Sequence, residues 1–134
     1  MNNTQKAWIK ALRSGEYHQA TGSLRQTLRL EDPFETKNVA GYCCLGVACE
    51  VSSLGRWTGA GYLLAGSALT QGGTLTADSR LYQRLGLGQI VINPASERVR
   101  PLQDVLINLN DDEEWNFEQI ADFLEDLWTR KETT

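Results

Sequence analysis

The chain has 134 residues, 41% of them apolar and four of them tryptophan, which is enough to build one domain's core and excludes a disordered segment or a fold that depends on disulfides or a metal. No apolar run approaches the roughly 20 residues of a membrane span. The start, MNNTQKAWIKALRSG, has no signal-peptide apolar stretch, so a cytoplasmic protein with reduced thiols and no membrane partner is expected.

Gln5 to Ser14 is predicted as the first helix, with Trp8, Ala11 and Leu12 on one face and Gly15 where a helix would stop. GSLRQTLRL alternates in two. Leu24, Leu28 and Leu30 point one way and Arg25, Thr27 and Arg29 the other, the pattern of a half-buried strand. EDPFETKN follows as a polar connection. A second helix is predicted from Cys43 to Ser53, apolar on both faces and therefore central and buried. Gly46 weakens that helix by about 1 kcal/mol relative to Ala, so its expected role is to let another stretch of backbone come close.

GRWTGAGYLLAGSALTQGG carries six glycines among aromatic and β-prone residues and predicts short strands, with a hairpin from Trp57 to Leu64. TADSRLYQRLGLG reads as a short helix capped by Thr76, stopped by Gly86, with Leu87 packing back. After a turn at Asn93–Pro94, Pro101 opens another helix with Leu102, Val105, Leu106 and Leu109 as its stripe, ended by Asn110. The last helix is capped by Asn116, with Gln119 in capping-box register, and buries Phe117, Ile120, Ala121, Leu124, Leu127 and Trp128. The fold class expected is α+β: a single compact domain over residues 1–134, with about four or five helices packed on a small antiparallel sheet.

All three cysteines lie in YCCLGVAC. Cys43 and Cys44 are adjacent, so on a helix they diverge by about 100°. Cys49 lies on yet another face, and His18 is the one histidine, which leaves no set of ligands with zinc spacing. The neighbourhood is apolar and offers no Cys–His pair. Core packing is the expected role.

No phosphate loop of Walker type and no nucleophile elbow is present. The contiguous acids Asp111, Asp112, Glu113 and Glu114 read as helix-start charge rather than an acid–base pair. No catalytic residue, metal or cofactor is expected. A ligand-binding group is: Arg13, Tyr17, His18 and Gln19 stand just before Arg25 and Arg29, the last two roughly 13 Å apart along one strand. Guanidinium forks, an aromatic ring and amide donors suit a nucleotide or another phosphorylated small molecule. Trp57 and Tyr62, flanked by glycines, offer either pocket lining or core.

The features aLrsGey.Q..g.Lr, YCCLGV, LGL, and LND followed by F..IAD resemble a family of small, mostly uncharacterised bacteriophage and prophage proteins, and they span nearly the whole chain. The resemblance implies an accessory protein in the bacterial host cytosol and carries over no chemistry or site. Charge adds a second possibility. The net charge of −4 is uneven: residues 1–100 hold eleven Lys/Arg against seven Asp/Glu, residues 101–134 two against ten. Duplex nucleic acid is therefore a poor partner. Two readings stand: a non-enzymatic binder that sequesters a nucleotide-type immune signal, or an inhibitor that docks its acidic C-terminal face on a basic host protein such as a defence nuclease or CRISPR effector. Exposed Trp128 or Trp115 would mark a homodimer face.

Overall fold

A computed structural model describes residues 1–58, 61–64, 74–75, 79–93 and 98–133. Among these residues five α-helices pack with small sheets in an α+β arrangement. None of the described helices is long and apolar enough to cross a membrane.

Helix α1, Asn3–Arg13, starts earlier than its apolar face suggests, because Asn2 and Gln5 form a reciprocal capping box at its N-terminus. A two-residue strand β1, His18–Gln19, lies parallel to β3, Thr36–Tyr42, and β2, Arg25–Glu31, pairs antiparallel to the other edge of β3. The alternation read in β2 is present, its residues switching between exposed and half-buried along the strand. EDPFETKN is not a simple connection. Asp32–Glu35 is a tight turn, and the strand β3 begins at Thr36 within it.

Helix α2, Cys44–Ser52, is the centre of the molecule: residues 44–49 are all buried, and α1, β3 and a later helix pack around it. A Cβ on Gly46 would overlap the carbonyl oxygen of Leu24, so the glycine does permit a close backbone approach. The same carbonyl accepts from the Cys43 N–H. Trp8 of α1 is fully buried and donates its indole N–H to the Cys44 carbonyl at 2.8 Å.

Strands β4, Gly55–Thr58, and β5, Gly61–Leu64, form the expected hairpin. Helix α3, Arg80–Leu85, is capped by Ser79, whose hydroxyl accepts from the Tyr82 N–H; Thr76, the cap expected from sequence, lies outside the described residues. Gly86 ends α3 in the left-handed region at φ 70° and Leu87 is buried beyond it, as the sequence suggests. The expected turn at Asn93–Pro94 falls partly outside the described residues; around it the chain forms a second hairpin, β6 (Gln89–Asn93) with β7 (Arg98–Pro101), that the sequence reading missed.

Helix α4, Leu102–Ile107, follows Pro101. Asn110 does not end the helix. The chain continues as a π-helical turn, Asn108–Asp112, with Asn110 buried inside it. Helix α5, Phe117–Thr133, carries the predicted capping box, with Asn116 and Gln119 exchanging hydrogen bonds of 2.8 and 2.9 Å. Trp128 is only 8% exposed and lies against Trp8, and Trp115 is half-buried against Phe123, so Trp128 offers no dimer face.

Candidate functional site

The six residues grouped by the sequence occupy several different places. Arg13 leaves the group altogether. It bonds Asp122 and Glu125 of α5, both at 2.6 Å, and these two hydrogen bonds hold its guanidinium still more firmly protonated. Gln19 is a structural residue: its amide donates to the Asn110 side-chain oxygen at 2.9 Å and to the Trp115 carbonyl at 2.7 Å. His18 is exposed, its backbone paired with Gly41. Arg29 is exposed farther along β2, 3.8 Å from Glu31.

Arg25 and Tyr17 remain, and the fold brings to them residues from β3 and β4. Tyr17 meets Tyr42 edge-on at 5.5 Å, Tyr42 lies 6.1 Å from Trp57, and Trp57 meets Tyr62 at 4.9 Å. The Arg25 guanidinium sits over the Trp57 ring, 5.3 Å from its centroid. Glu50 fixes the indole by accepting its N–H at 2.7 Å. Burial, and then the charge of Glu50, push the hydroxyls of Tyr17 and Tyr42 above the usual phenol range.

Beside this stack opens a cleft of about 450 Å³, within the size range of small-molecule sites. Arg25, Gln26, Thr27, Asn38, Trp57 and Thr58 supply its polar and aromatic lining. Among the described residues no carboxylate lies within ion-pairing distance of Arg25, and the Asn38 amide makes no side-chain hydrogen bond. The lining contains no carboxylate, imidazole or thiol. It can hold a planar, anionic molecule by stacking and charge.

Sequence reasoning noted Arg25 and Trp57 separately and missed Asn38, because the polar half of β3 gives no alternating signal. Signals for Trp57 existed in its flanking glycines; none existed for Asn38.

The cysteines pack in the core. All three are free and buried. Burial pushes the Cys43 thiol up to about 11 and raises those of Cys44 and Cys49 strongly. Among the described residues no group of three or more His, Cys, Asp or Glu could hold a metal ion.

The LND and CCLGV segments meet at Asn110. The Asn110 side-chain oxygen accepts from the Cys44 N–H at 3.3 Å and its amide donates to the Ala20 carbonyl at 2.9 Å, joining the LND segment to the CCLGV helix and to the residue that follows β1. A family described as Domain of unknown function (DUF8296) matches residues 1–60, the part of the chain from α1 through β4. No curated protein matches the chain, and no solved structure does.

Proposed function

We propose that this protein acts by binding, and that the cleft beside Arg25 and Trp57 takes a phosphorylated small molecule of nucleotide type. The supporting observation is the Arg25–Trp57 stack: a guanidinium with no carboxylate partner among the described residues, 5.3 Å from the centroid of an indole, at a polar cleft. A base can stack on the indole, and a guanidinium is a strong bidentate partner for phosphate oxygens. Asn38 adds an amide able to meet a base edge or ribose hydroxyl.

The similarity of CCLGV and its companion segments to small phage and prophage proteins supplies a setting. There, a binder of this kind acts in the host cytosol by sequestering a nucleotide signal of bacterial defence. A second reading, in which the acidic C-terminal surface docks on a basic host protein, draws on the nine acids and no base between Asp104 and Asp126. Arg13 works against it by neutralising part of that surface at Asp122 and Glu125.

Calorimetric titration with mono- and dinucleotides separates the two. In the first reading, Arg25→Ala and Trp57→Ala abolish binding while charge reversal at Asp122, Glu125 and Asp126 leaves it intact. Absence of any nucleotide binding by the unaltered protein counts against the first reading.

A further inference from the structure

At the far end of the β2–β3 hairpin, Phe34 is 96% exposed. A single exposed apolar side chain needs no explanation by itself. The turn beneath this one is tightly held. Asp32 and Glu35 exchange two backbone hydrogen bonds of 2.9 and 3.2 Å, and the Asp32 carboxylate accepts from the Phe34 N–H at 2.9 Å. With Pro33 restricting the remaining backbone freedom, the turn presents the ring in a fixed position. Asp32 and Glu35 form no ion pair among the described residues, so the ring stands between two uncompensated carboxylates.

The molecule also carries a groove with the opposite character. Between α1 and α5, Ile9 and Met1 line an open, largely apolar depression of about 530 Å³. Lys6 and Lys10 stand on its rim, both exposed and neither in an ion pair among the described residues. Arg13 and Glu125, bonded to each other, close one end.

We infer that the partner of this groove is the Phe34 turn of a second copy of the chain. The ring covers the apolar floor, while Asp32 and Glu35 approach Lys6 and Lys10. Because each chain carries both halves, the contact can be made twice in a two-fold pair, where residue i meets j and j meets i. The contact uses none of the residues of the Arg25–Trp57 cleft, so it stands or falls separately from ligand binding. Each plug is small, so the association is weak and becomes visible at concentrations on the order of 100 μM.

Sedimentation equilibrium across that range tests the pairing. The unaltered chain is expected to self-associate. Phe34→Ser, and separately Lys6→Glu with Lys10→Glu, are expected to weaken association by about tenfold or more. Lys6 and Lys10 are solvated charges and the Phe34 ring is itself exposed, so circular dichroism of the variants should be unchanged. Glu35→Lys combined with the two lysine reversals in one chain should recover part of the association, because an opposite-charge pair is re-formed while Asp32 still holds the Phe34 turn. A chain that stays monomeric at about 1 mM, association indifferent to Phe34→Ser, or association that survives the lysine reversals would each overturn the inference.

Discussion

The side-chain oxygen of Asn110 accepts a hydrogen bond from the backbone N–H of Cys44, 66 residues earlier in the chain, at 3.3 Å. The same oxygen accepts from Gln19, and the amide nitrogen donates to the Ala20 carbonyl and to Asp111. One buried side chain thus satisfies the start of α2 and the residue after β1 together, while sitting in a π-helical turn that aims it inward.

Asn110→Ala should therefore destabilise the protein by about 3 kcal/mol, since it strands a buried N–H and a buried carbonyl. Asn110→Asp should cost more, about 4 kcal/mol, by adding a buried charge next to Asp111 and removing both donors. Urea midpoints with unchanged m-values check both.

Gly46→Ala should cost about 3 kcal/mol or prevent folding, because the new methyl meets the Leu24 carbonyl backbone rather than a movable side chain. Gly88→Ala is the control. Nothing lies within 4 Å of a Cβ there and its backbone is not left-handed, so stability should change by less than about 0.5 kcal/mol. Thermal melts of the two variants distinguish backbone collision from a general intolerance of substitution.

The thiols predict a pH dependence. Burial raises Cys43 to about 11 and raises Cys44 and Cys49 in the same direction, so the folded state holds these protons more tightly than the unfolded chain, where a thiol ionises near 9. The unfolded state then binds fewer protons above pH 9, and unfolding becomes easier. The Cys43 contribution to stability is complete below the unfolded value and is lost as pH climbs from about 9 through 11, while the more strongly raised Cys44 and Cys49 go on losing theirs at still higher pH. Tyr17 and Tyr42, also raised, act in the same sense. Denaturation midpoints measured between pH 7 and 11 should be level at first and fall at the alkaline end. In the folded protein near neutral pH none of the three thiols should alkylate rapidly, and all three should do so after unfolding.

Arg13→Ala should have a small effect, about 0.5–1 kcal/mol and shrinking with added salt, because Asp122 and Glu125 are largely exposed. Comparing melts at low and high ionic strength checks it. A loss much larger than this would mean that α1 and α5 depend on the bridge rather than on the Trp8–Trp128 contact for their packing.

Local chemistry made the helices readable. The Asn116–Gln119 box, the Gly86 stop and the apolar faces of α1, α2 and α5 are all set by neighbours in sequence, and so is the close approach that Gly46 implies. What escaped was set at a distance. β3 begins with Thr36, Lys37 and Asn38, all exposed, and becomes a strand by pairing with β2 rather than through any alternation of its own. Asn110 has the look of a helix end because a polar residue follows an apolar stripe; its partners are contributed by residues 19, 20 and 44. The candidate site shows the same division. Arg25 and Trp57 each stood out, but their meeting depends on two hairpins folding against one another, and Arg13 and Gln19 were drawn away by partners late in the chain.

The indole N–H resonance of Trp57, held by Glu50, gives the most direct view of the proposed cleft, since it can be followed by nitrogen-15 NMR while nucleotides are added. The account predicts saturable movement of that resonance together with the Arg25 side chain, lost in Arg25→Ala with the remaining spectrum unchanged. A Trp57 signal that stays fixed through millimolar mono- and dinucleotides, while the protein remains folded, would contradict it.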